Sequence, residues 1–316
     1  MKEDSHESKN TNTLSDSSFL LEVGGTAVAG YYAYQEARKA AFNRMRNVVF
    51  RKKYGLDWRD LQEKDDKEGK KYLKEFEDKE ISVHISDLEI DKKITSKEAE
   101  YLQKLNEYGQ EALKREAEYN KVLQSLYNKE PVWIDFLEHV KGIAGVMTSM
   151  LLYYFGYCEN AVKGPSSLWS YAGLTPQSKH VKGESSSFNP NLRTLCWKIS
   201  SQLLKANSPR YRPIYDNEKK RQEEIRESRE GETEFTREDG TVISVSKRLG
   251  HSHSRALRKM VKQFLADYYR MCFIVKGKKV PRDPYVLDRL GHKPNIIPIE
   301  EFIEEEKKRK LTKNAS

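Results

Sequence analysis

The chain has 316 residues, enough for about two domains of ordinary size. Apolar residues make up 37% and charged residues 33%, so the chain can bury a core but keeps much of its length on solvated faces. This composition excludes collagen, low-complexity disorder and an integral membrane protein, because the longest apolar stretch, Phe19 to Tyr34, is too short to span a bilayer. The three cysteines are far apart and odd in number, which is typical of a reduced, intracellular protein.

The net charge of +9 is concentrated in the second half of the chain. Residues 247–282 hold 11 Lys and Arg against the single Asp267, and residues 132–212 hold 9 against 4 acids. Residues 1–131, by contrast, hold 24 basic and 26 acidic residues. Concentrated cations attract polyanions, and counterion release from phosphates is the main source of non-specific nucleic-acid affinity. The pattern predicts a nucleic-acid-binding surface, and a solvated basic face without a ligand is the alternative.

The first part of the chain, up to residue 130, is predicted to be helical and rich in charge. Residues 1–17 contain almost no apolar residue and are predicted to be a disordered leader. From Phe19 to Lys53 apolar residues recur every three or four positions, the spacing of a helix face. Residues 57–80 carry charges of both signs and indicate a solvated helix or linker. A short alternation then predicts a strand, with the apolar residues Ile81, Val83 and Ile85.

A long helix is predicted before Pro131. Thr95 and Glu98 have the spacing of a capping box, in which each side chain binds the other residue's backbone N–H group. An apolar face follows at helical spacing. Its members are Leu102, Leu105, Tyr108, Ala112, Tyr119, Val122 and Leu126. This face predicts packing within the domain, and the alternative is a coiled-coil arm that forms a homodimer through residues 95–127.

The composition changes after Pro131, and we place a domain boundary there. Asp239 and Gly240 lie between two alternating segments and predict a β-hairpin, because glycine accepts a positive φ. The predicted elements are helices 132–140, 146–157, 191–206, 253–275 and 300–310, and strands 232–236 and 241–245. The predicted fold class is mainly α: long N-terminal helices over 18–130, a domain with a helix-hairpin-helix and one small β-hairpin over 131–292, and a charged tail over 293–316.

The segment from Phe136 to Val146 is the candidate helix-hairpin-helix. Glycines in such a turn let the backbone approach a phosphate, and the N–H groups that open the second helix point at the anion. The candidate binding residues are Lys141, Gly142, Ile143 and Gly145. The usual pattern has glycine where Ala144 stands, and a tight turn without a ligand is the alternative.

A basic helix is predicted to open near His251. We expect Ser252 to cap it, with His251 and His253 near an anion; the alternate spacing of the two histidines predicts no metal site. Cations recur at three and four residues along the helix. They are Arg255, Arg258, Lys259 and Lys262. We predict that this face contacts phosphates while the apolar stripe packs inward, and an unoccupied basic surface is the alternative.

Three blocks in this region, taken with the hairpin at Val140–Ile143, resemble a known family. They read Ser167-Leu168-Trp169-Ser170-Tyr171-Ala172-Gly173-Leu174-Thr175-Pro176, then Phe188-Asn189-Pro190-Asn191-Leu192-Arg193-Thr194-Leu195, then Ser208-Pro209-Arg210-Tyr211. In this order they resemble the C-terminal domain of the insertion-sequence-one-ten transposases, which are guided by a bridge RNA. The resemblance covers about residues 132–292.

The resemblance implies a DNA-binding protein that acts in transposition or recombination of a mobile element. It further implies a cytoplasmic, nucleoid-associated setting in a prokaryote, with DNA and a guide RNA as partners and no membrane. The family's N-terminal nuclease domain, with four acidic metal ligands, has no counterpart in residues 1–131. Mg²⁺ is therefore expected only if such a domain is supplied elsewhere, and no other cofactor is predicted. The alternative is a DNA-binding or architectural module that has lost catalysis.

The family's nucleophilic serine corresponds to Ser178, although no Gly-Gly pair follows it here. A serine needs a base or a strongly positive site to attack a phosphodiester. Lys179, His180 and Lys182 follow directly and are the candidates for that role; the alternative is a basic loop that only grips phosphate. Arg193, in the second block, is a further candidate for phosphate binding.

Overall fold

The computed structural model describes residues 12–56, 71–72, 74–76, 79–161, 163–175, 178, 185–227, 234–236, 242–281 and 298–314. Over these residues the chain is mainly helical. The helices are α1 Asn12–Tyr54, α2 Ile81–Ile90, α3 Ser96–Tyr127, α4 Pro131–Asp135, α5 Gly145–Phe155, α6 Pro165–Tyr171, α7 Pro190–Lys205, α8 Arg212–Glu227, α9 Val245–Ile274 and α10 Ile299–Asn314. Strands β1 (Glu234–Thr236) and β2 (Val242–Ser244) pair antiparallel, and the predicted turn at Asp239 and Gly240 lies outside the described residues.

The chain divides into two compact units. One is Gly25–Leu123, and the other combines Met1–Gly24 with Gln124–Ser316. The boundary falls inside α3 rather than at Pro131, because this helix continues without a break to Tyr127. Helix α1 begins at Asn12, so residues 12–17 are helical instead of a disordered leader, while residues 1–11 lie outside the described residues.

In the N-terminal unit, α1 and α3 pack antiparallel along their length. A Cβ atom at Gly30 would overlap the Tyr119 ring, and one at Gly109 would overlap the Phe42 ring, so each glycine admits an aromatic ring of the facing helix. The apolar face of α3 is thus used within the chain at Leu102 and Ala112, which are buried. Of its other predicted members, Tyr108 and Val122 are exposed, and Leu105, Tyr119 and Leu126 are half-buried.

A charged pair crosses this helix interface. Arg38 Nε lies 2.6 Å from Glu116 Oε2, and Gln35 Nε2 donates to Glu116 Oε1 at 3.0 Å. Burial raises the pKa of Glu116, but the hydrogen bonds from Arg38 and Gln35 outweigh this effect and hold the pKa below its ordinary value. The buried Glu116 carboxylate can reach Arg38 and Gln35 in only one alignment of α1 and α3, so this ion pair favours that register of the two helices.

The predicted strand at Ile81, Val83 and Ile85 is wrong, because these residues form the first turns of α2. The buried residues of this helix are His84, Ile85 and Leu88, and such spacing belongs to a helix face rather than to a strand. They pack on a cluster that includes Phe76, so the segment 57–80 is not solvated throughout. Residues 57–70 of that segment lie outside the described residues.

The predicted capping box at the start of α3 is confirmed. Glu98 Oε2 accepts hydrogen bonds from the Thr95 backbone N–H at 2.8 Å and from the Thr95 hydroxyl at 3.0 Å. The Glu98 N–H in turn donates to Thr95 Oγ1 at 3.2 Å. These bonds satisfy donors that the helix itself cannot pair.

The C-terminal unit is built around α9. The Phe264 ring contacts Phe136, with centroids 6.0 Å apart, and Tyr211, with centroids 5.6 Å apart. Arg210 binds Asp267 of α9 through two buried hydrogen bonds of 2.8 and 3.1 Å, and the Tyr211 hydroxyl donates to the same carboxylate at 3.0 Å. The third block of the resemblance therefore contacts α9 through buried hydrogen bonds to Asp267.

Three predicted helices of this unit, 146–157, 191–206 and 253–275, are present as α5, α7 and α9. The predicted start of the basic helix is wrong, because α9 begins at Val245 and Ser252 lies inside it rather than at its cap. The predicted helix 132–140 is broken at Phe136, whose φ of −137° leaves the helical region, into α4 and a 3-10 turn at Leu137–His139. Helices α6 and α8 were not predicted. The predicted tail includes α10, whose Ile299, Phe302 and Ile303 are buried. No described helix combines the length and apolar character needed to cross a membrane.

Candidate nucleic-acid interface

Four cations, Arg193 of α7 and Arg255, Arg258 and Lys262 of α9, gather where these two helices pack; we call them the cationic cluster. Burial lowers the pKa of Arg258, and the positive charges of Arg193 and Arg255 lower it further. Burial also lowers the pKa of Lys262, with a contribution from Arg258. Arg258 is therefore close enough to the other three cations for their charges to interact unfavourably with its own.

The two-sided character of α9 produces this arrangement. Ala256, Leu257, Met260 and Val261 are buried in the core, whereas Arg255 and Arg258 are exposed on the other side of the same turns. Among the described residues, no carboxylate forms an ion pair with any member of the cationic cluster. The repulsion is thus not relieved within the described part of the chain, and a bound polyanion would relieve it.

Aromatic rings hold two of these cations in place. The Trp169 indole N–H donates to the Lys262 carbonyl oxygen at 3.0 Å, and the Lys262 ammonium lies 5.3 Å from the centroid of the Trp169 ring. The Arg193 guanidinium lies 4.9 Å from the centroid of the Phe188 ring. These cation–π contacts restrict long side chains that would otherwise sample many rotamers.

The first two blocks of the resemblance pack against each other and support the Trp169 and Phe188 rings. Gly173 has a φ of +66°, which favours glycine, and a Cβ atom there would crowd the Phe188 ring. The Asn189 N–H donates to the Tyr171 carbonyl oxygen at 2.9 Å. The Asn189 side chain also caps α7, since its Oδ1 accepts from two backbone N–H groups of the first turn. The cap sets the start of the helix on which Arg193 lies.

Lys259, a predicted phosphate contact, is instead bound within the protein. Its ammonium lies 2.7 Å from Glu218 Oε2 of α8, and Glu218 is buried. Burial raises the pKa of Glu218, but hydrogen bonds from Lys259 and Gln222 outweigh burial and leave it below the ordinary value. His253 Nδ1 lies 2.7 Å from the Tyr215 hydroxyl, also on α8. The side chain of His251 lies outside the described residues.

The predicted hairpin is not part of the cationic cluster. Gly142, with a φ of +102°, packs against Ala206 and the Gln202 carbonyl at the C-terminal end of α7, about 15–20 Å along the helix from Arg193. Ala144 is extended rather than left-handed, with a φ of −157°. The Gly145 N–H, one of the expected phosphate donors, is hydrogen bonded to the Tyr127 hydroxyl.

The other hairpin residues differ in access. Lys141 is exposed, whereas the Ile143 side chain is buried. The hairpin therefore presents one cation to solvent, while its apolar residue belongs to the core of the unit.

The hydroxyl of Ser178, the candidate nucleophile, lies 2.8 Å from the Thr175 hydroxyl. Lys179, His180 and Lys182 lie outside the described residues, and within the described chain no basic group is hydrogen bonded to Ser178. No group of three or more His, Cys, Asp or Glu in the described ranges is arranged to hold a metal ion.

Two features of the site were missed in the sequence. Trp169 and Phe188 belong to the blocks of the resemblance, but the sequence does not show that they contact cations. Trp169 and Lys262, for example, are 93 residues apart in the sequence. Glu218 lies in an acidic stretch that carries no signal for pairing with Lys259.

Comparisons of the chain with models of protein families, with curated proteins and with solved structures find no match.

Proposed function

We propose that this protein binds DNA, and that the cationic cluster contacts the phosphate backbone. The observation that carries the proposal is the gathering of Arg193, Arg255, Arg258 and Lys262 without a described acidic partner. Each phosphate that such a cation neutralises releases condensed counterions, and this release drives binding at low salt. The cation–π contacts of Lys262 and Arg193 favour DNA binding, because they position the two charges before DNA binds.

The first test removes three charges of the cluster in one variant, Arg193→Gln with Arg258→Gln and Lys262→Gln. Affinity for a short DNA duplex is measured by fluorescence anisotropy between about 50 and 200 mM salt. We expect the slope of log affinity against log salt to become shallower by about three, because each lost phosphate contact removes about one from it. The loss should be similar for duplexes of different sequence.

The matched control removes three exposed cations elsewhere, Lys205→Gln with Lys219→Gln and Lys220→Gln. Both variants lower the net charge by three, so a general charge effect would weaken them equally. We expect the control to keep nearly the wild-type slope. Equal slopes for the two variants, or an unchanged slope in the cluster variant, would contradict a role for the cationic cluster.

We propose that this binding serves transposition or recombination of a mobile element, as the family resemblance implies. The support is that the first two blocks of the resemblance supply the aromatic residues that contact Lys262 and Arg193, namely Trp169 and Phe188. A guide RNA and Mg²⁺ from a separate nuclease subunit belong to the same proposal. The alternative is a DNA-binding module without catalysis, in which Ser178 has no catalytic role.

A strand-transfer assay on supercoiled plasmid, with Mg²⁺ present, compares the wild type with Ser178→Ala. If Ser178 is the nucleophile, the variant loses strand transfer while its DNA affinity stays unchanged, because no charge is removed. Activity that survives the substitution excludes Ser178.

A further inference from the structure

Trp197 on α7 is 62% exposed, although the same helix buries Leu192, Leu195 and Ile199. A single exposed apolar residue needs no explanation by itself. Tryptophan is the largest apolar side chain, however, and one left in water forgoes the stabilisation that burial would bring. Its position on the helix therefore decides what the exposure means.

Trp197 lies one helical turn after Arg193. Residues four apart on a helix are about 40° apart around the axis, with Cβ atoms about 6 Å apart. The Arg193 guanidinium lies over Phe188 and is close enough to Arg258 to lower its pKa. Trp197 therefore borders the cationic cluster and lies about 120° around the axis of α7 from Asn191, which is hydrogen bonded to Tyr154 of α5.

A second exposed aromatic residue lies on the other side of Arg193. Tyr171 is 46% exposed, and its hydroxyl accepts a hydrogen bond from Asn189 Nδ2 at 3.2 Å. Asn189 and Trp197 are about 12 Å apart along the axis of α7 at the rise of an α-helix. Tyr171 and Trp197 thus lie on either side of Arg193, over a length comparable to a few nucleotides of one strand.

Aromatic faces beside cations are the combination by which proteins hold single strands, because the cations follow the backbone while the bases stack on the rings. Bases in a closed duplex are stacked on each other and leave no free face for an indole. We propose that Trp197 is a base-stacking residue, and that the ligand of the cationic cluster is DNA with unpaired bases rather than continuous duplex. This inference rests on the proposed function, since the cations must first bind phosphate.

The experiment measures the affinity of full-length protein for oligo(dT) and for a duplex of the same length, at one low salt concentration. We expect the wild type to bind oligo(dT) more tightly. Trp197→Ala should weaken oligo(dT) binding by about 5- to 150-fold, from the contribution of one stacked base, and leave duplex binding unchanged. Trp197→Phe, which keeps an aromatic face, should lose much less.

The control is Tyr108→Ala, which removes an exposed aromatic side chain from α3 in the other unit. We expect it to bind both probes as the wild type does. Equal affinity of Trp197→Ala and wild type for oligo(dT), or an equal loss for both probes, would overturn the inference. A change in sedimentation coefficient in Trp197→Ala would assign the indole to contact between copies and would overturn it as well.

The cluster variant separates the two proposals. If Arg193→Gln with Arg258→Gln and Lys262→Gln weakens both probes while Trp197→Ala has no effect, DNA binding stands and base stacking fails. If the cluster variant binds both probes like the wild type, the proposed function fails.

Discussion

His84 is fully buried in the N-terminal unit, and both of its ring nitrogens have partners. Nε2 lies 3.0 Å from the Phe76 carbonyl oxygen, which only accepts, and Nδ1 lies 3.1 Å from the Lys53 ammonium, which only donates. The partners therefore require the neutral ring with its proton on Nε2. A second proton would put the Nδ1–H group against an ammonium at a buried position.

This arrangement predicts a stability that depends on pH. Burial lowers the pKa of His84 below its ordinary value of about 6.5, and the charges of Lys53 and Lys79 lower it further. The hydrogen bond that the His84 ring donates to the Phe76 carbonyl and the charge of Asp87 act in the opposite direction. Between the lowered and the ordinary value the unfolded chain binds the proton and the folded chain does not. The stabilisation is therefore complete above about pH 6.5 and is lost as the pH falls through the folded-state value.

We expect the free energy of unfolding of this unit to fall as the pH drops below about 6.5, by at most about 1.4 kcal/mol per pH unit from His84. Urea titrations at several pH values measure it. His84→Gln, which does not titrate, serves as the reference and should have a shallower dependence on pH. The same dependence in both proteins would show that His84 is not responsible.

At the scale of elements, the contact between α1 and α3 depends on two glycines. Gly30 and Gly109 lie in helix interiors, where alanine would normally be more favourable by about 1 kcal/mol. Each faces an aromatic ring with no room for a Cβ atom. Sequence periodicity predicted both helices, but a glycine inside a helix does not indicate which ring will occupy the space beside it.

Gly109→Ala is expected to destabilise the protein by about 1 kcal/mol, because displacing the Phe42 ring costs about 1–3 kcal/mol and outweighs the gain in helix propensity. Gly250→Ala in α9 is the matched control. Nothing lies within 4 Å of a Cβ atom there, so the same exchange should stabilise by about 0.5–1 kcal/mol. Chemical denaturation measures both changes, and opposite signs are the expected result. A stabilised Gly109→Ala would mean that the helices separate easily.

For the whole molecule, the distribution of charge matters more than the net charge. The N-terminal unit pairs its charges internally, as between Arg38 and Glu116 and between Lys52 and Glu98. In the C-terminal unit, Lys259 and Arg270 of α9 are paired with Glu218 and Glu300. The cations around Arg258 form no described ion pair with an acid, and neither do Lys276 and Lys279 beyond the end of α9, so the proposed DNA-binding surface uses only part of the basic stretch 247–282 together with Arg193.

The sequence by itself determined the mainly helical fold, the capping box at Thr95 and Glu98, and the basic segment that becomes one side of α9. These features depend on neighbours three or four residues apart, and that spacing is visible in a linear chain. Tertiary structure decided which cations form one surface. Arg193 lies near Arg258 because α7 packs on α9. Lys259 is not part of the cationic cluster, because its ammonium lies 2.7 Å from Oε2 of the buried Glu218 of α8. The electrostatic partner of Lys259 is 41 residues away in sequence, so the pairing depends on packing in three dimensions, and helical spacing carries no information about it.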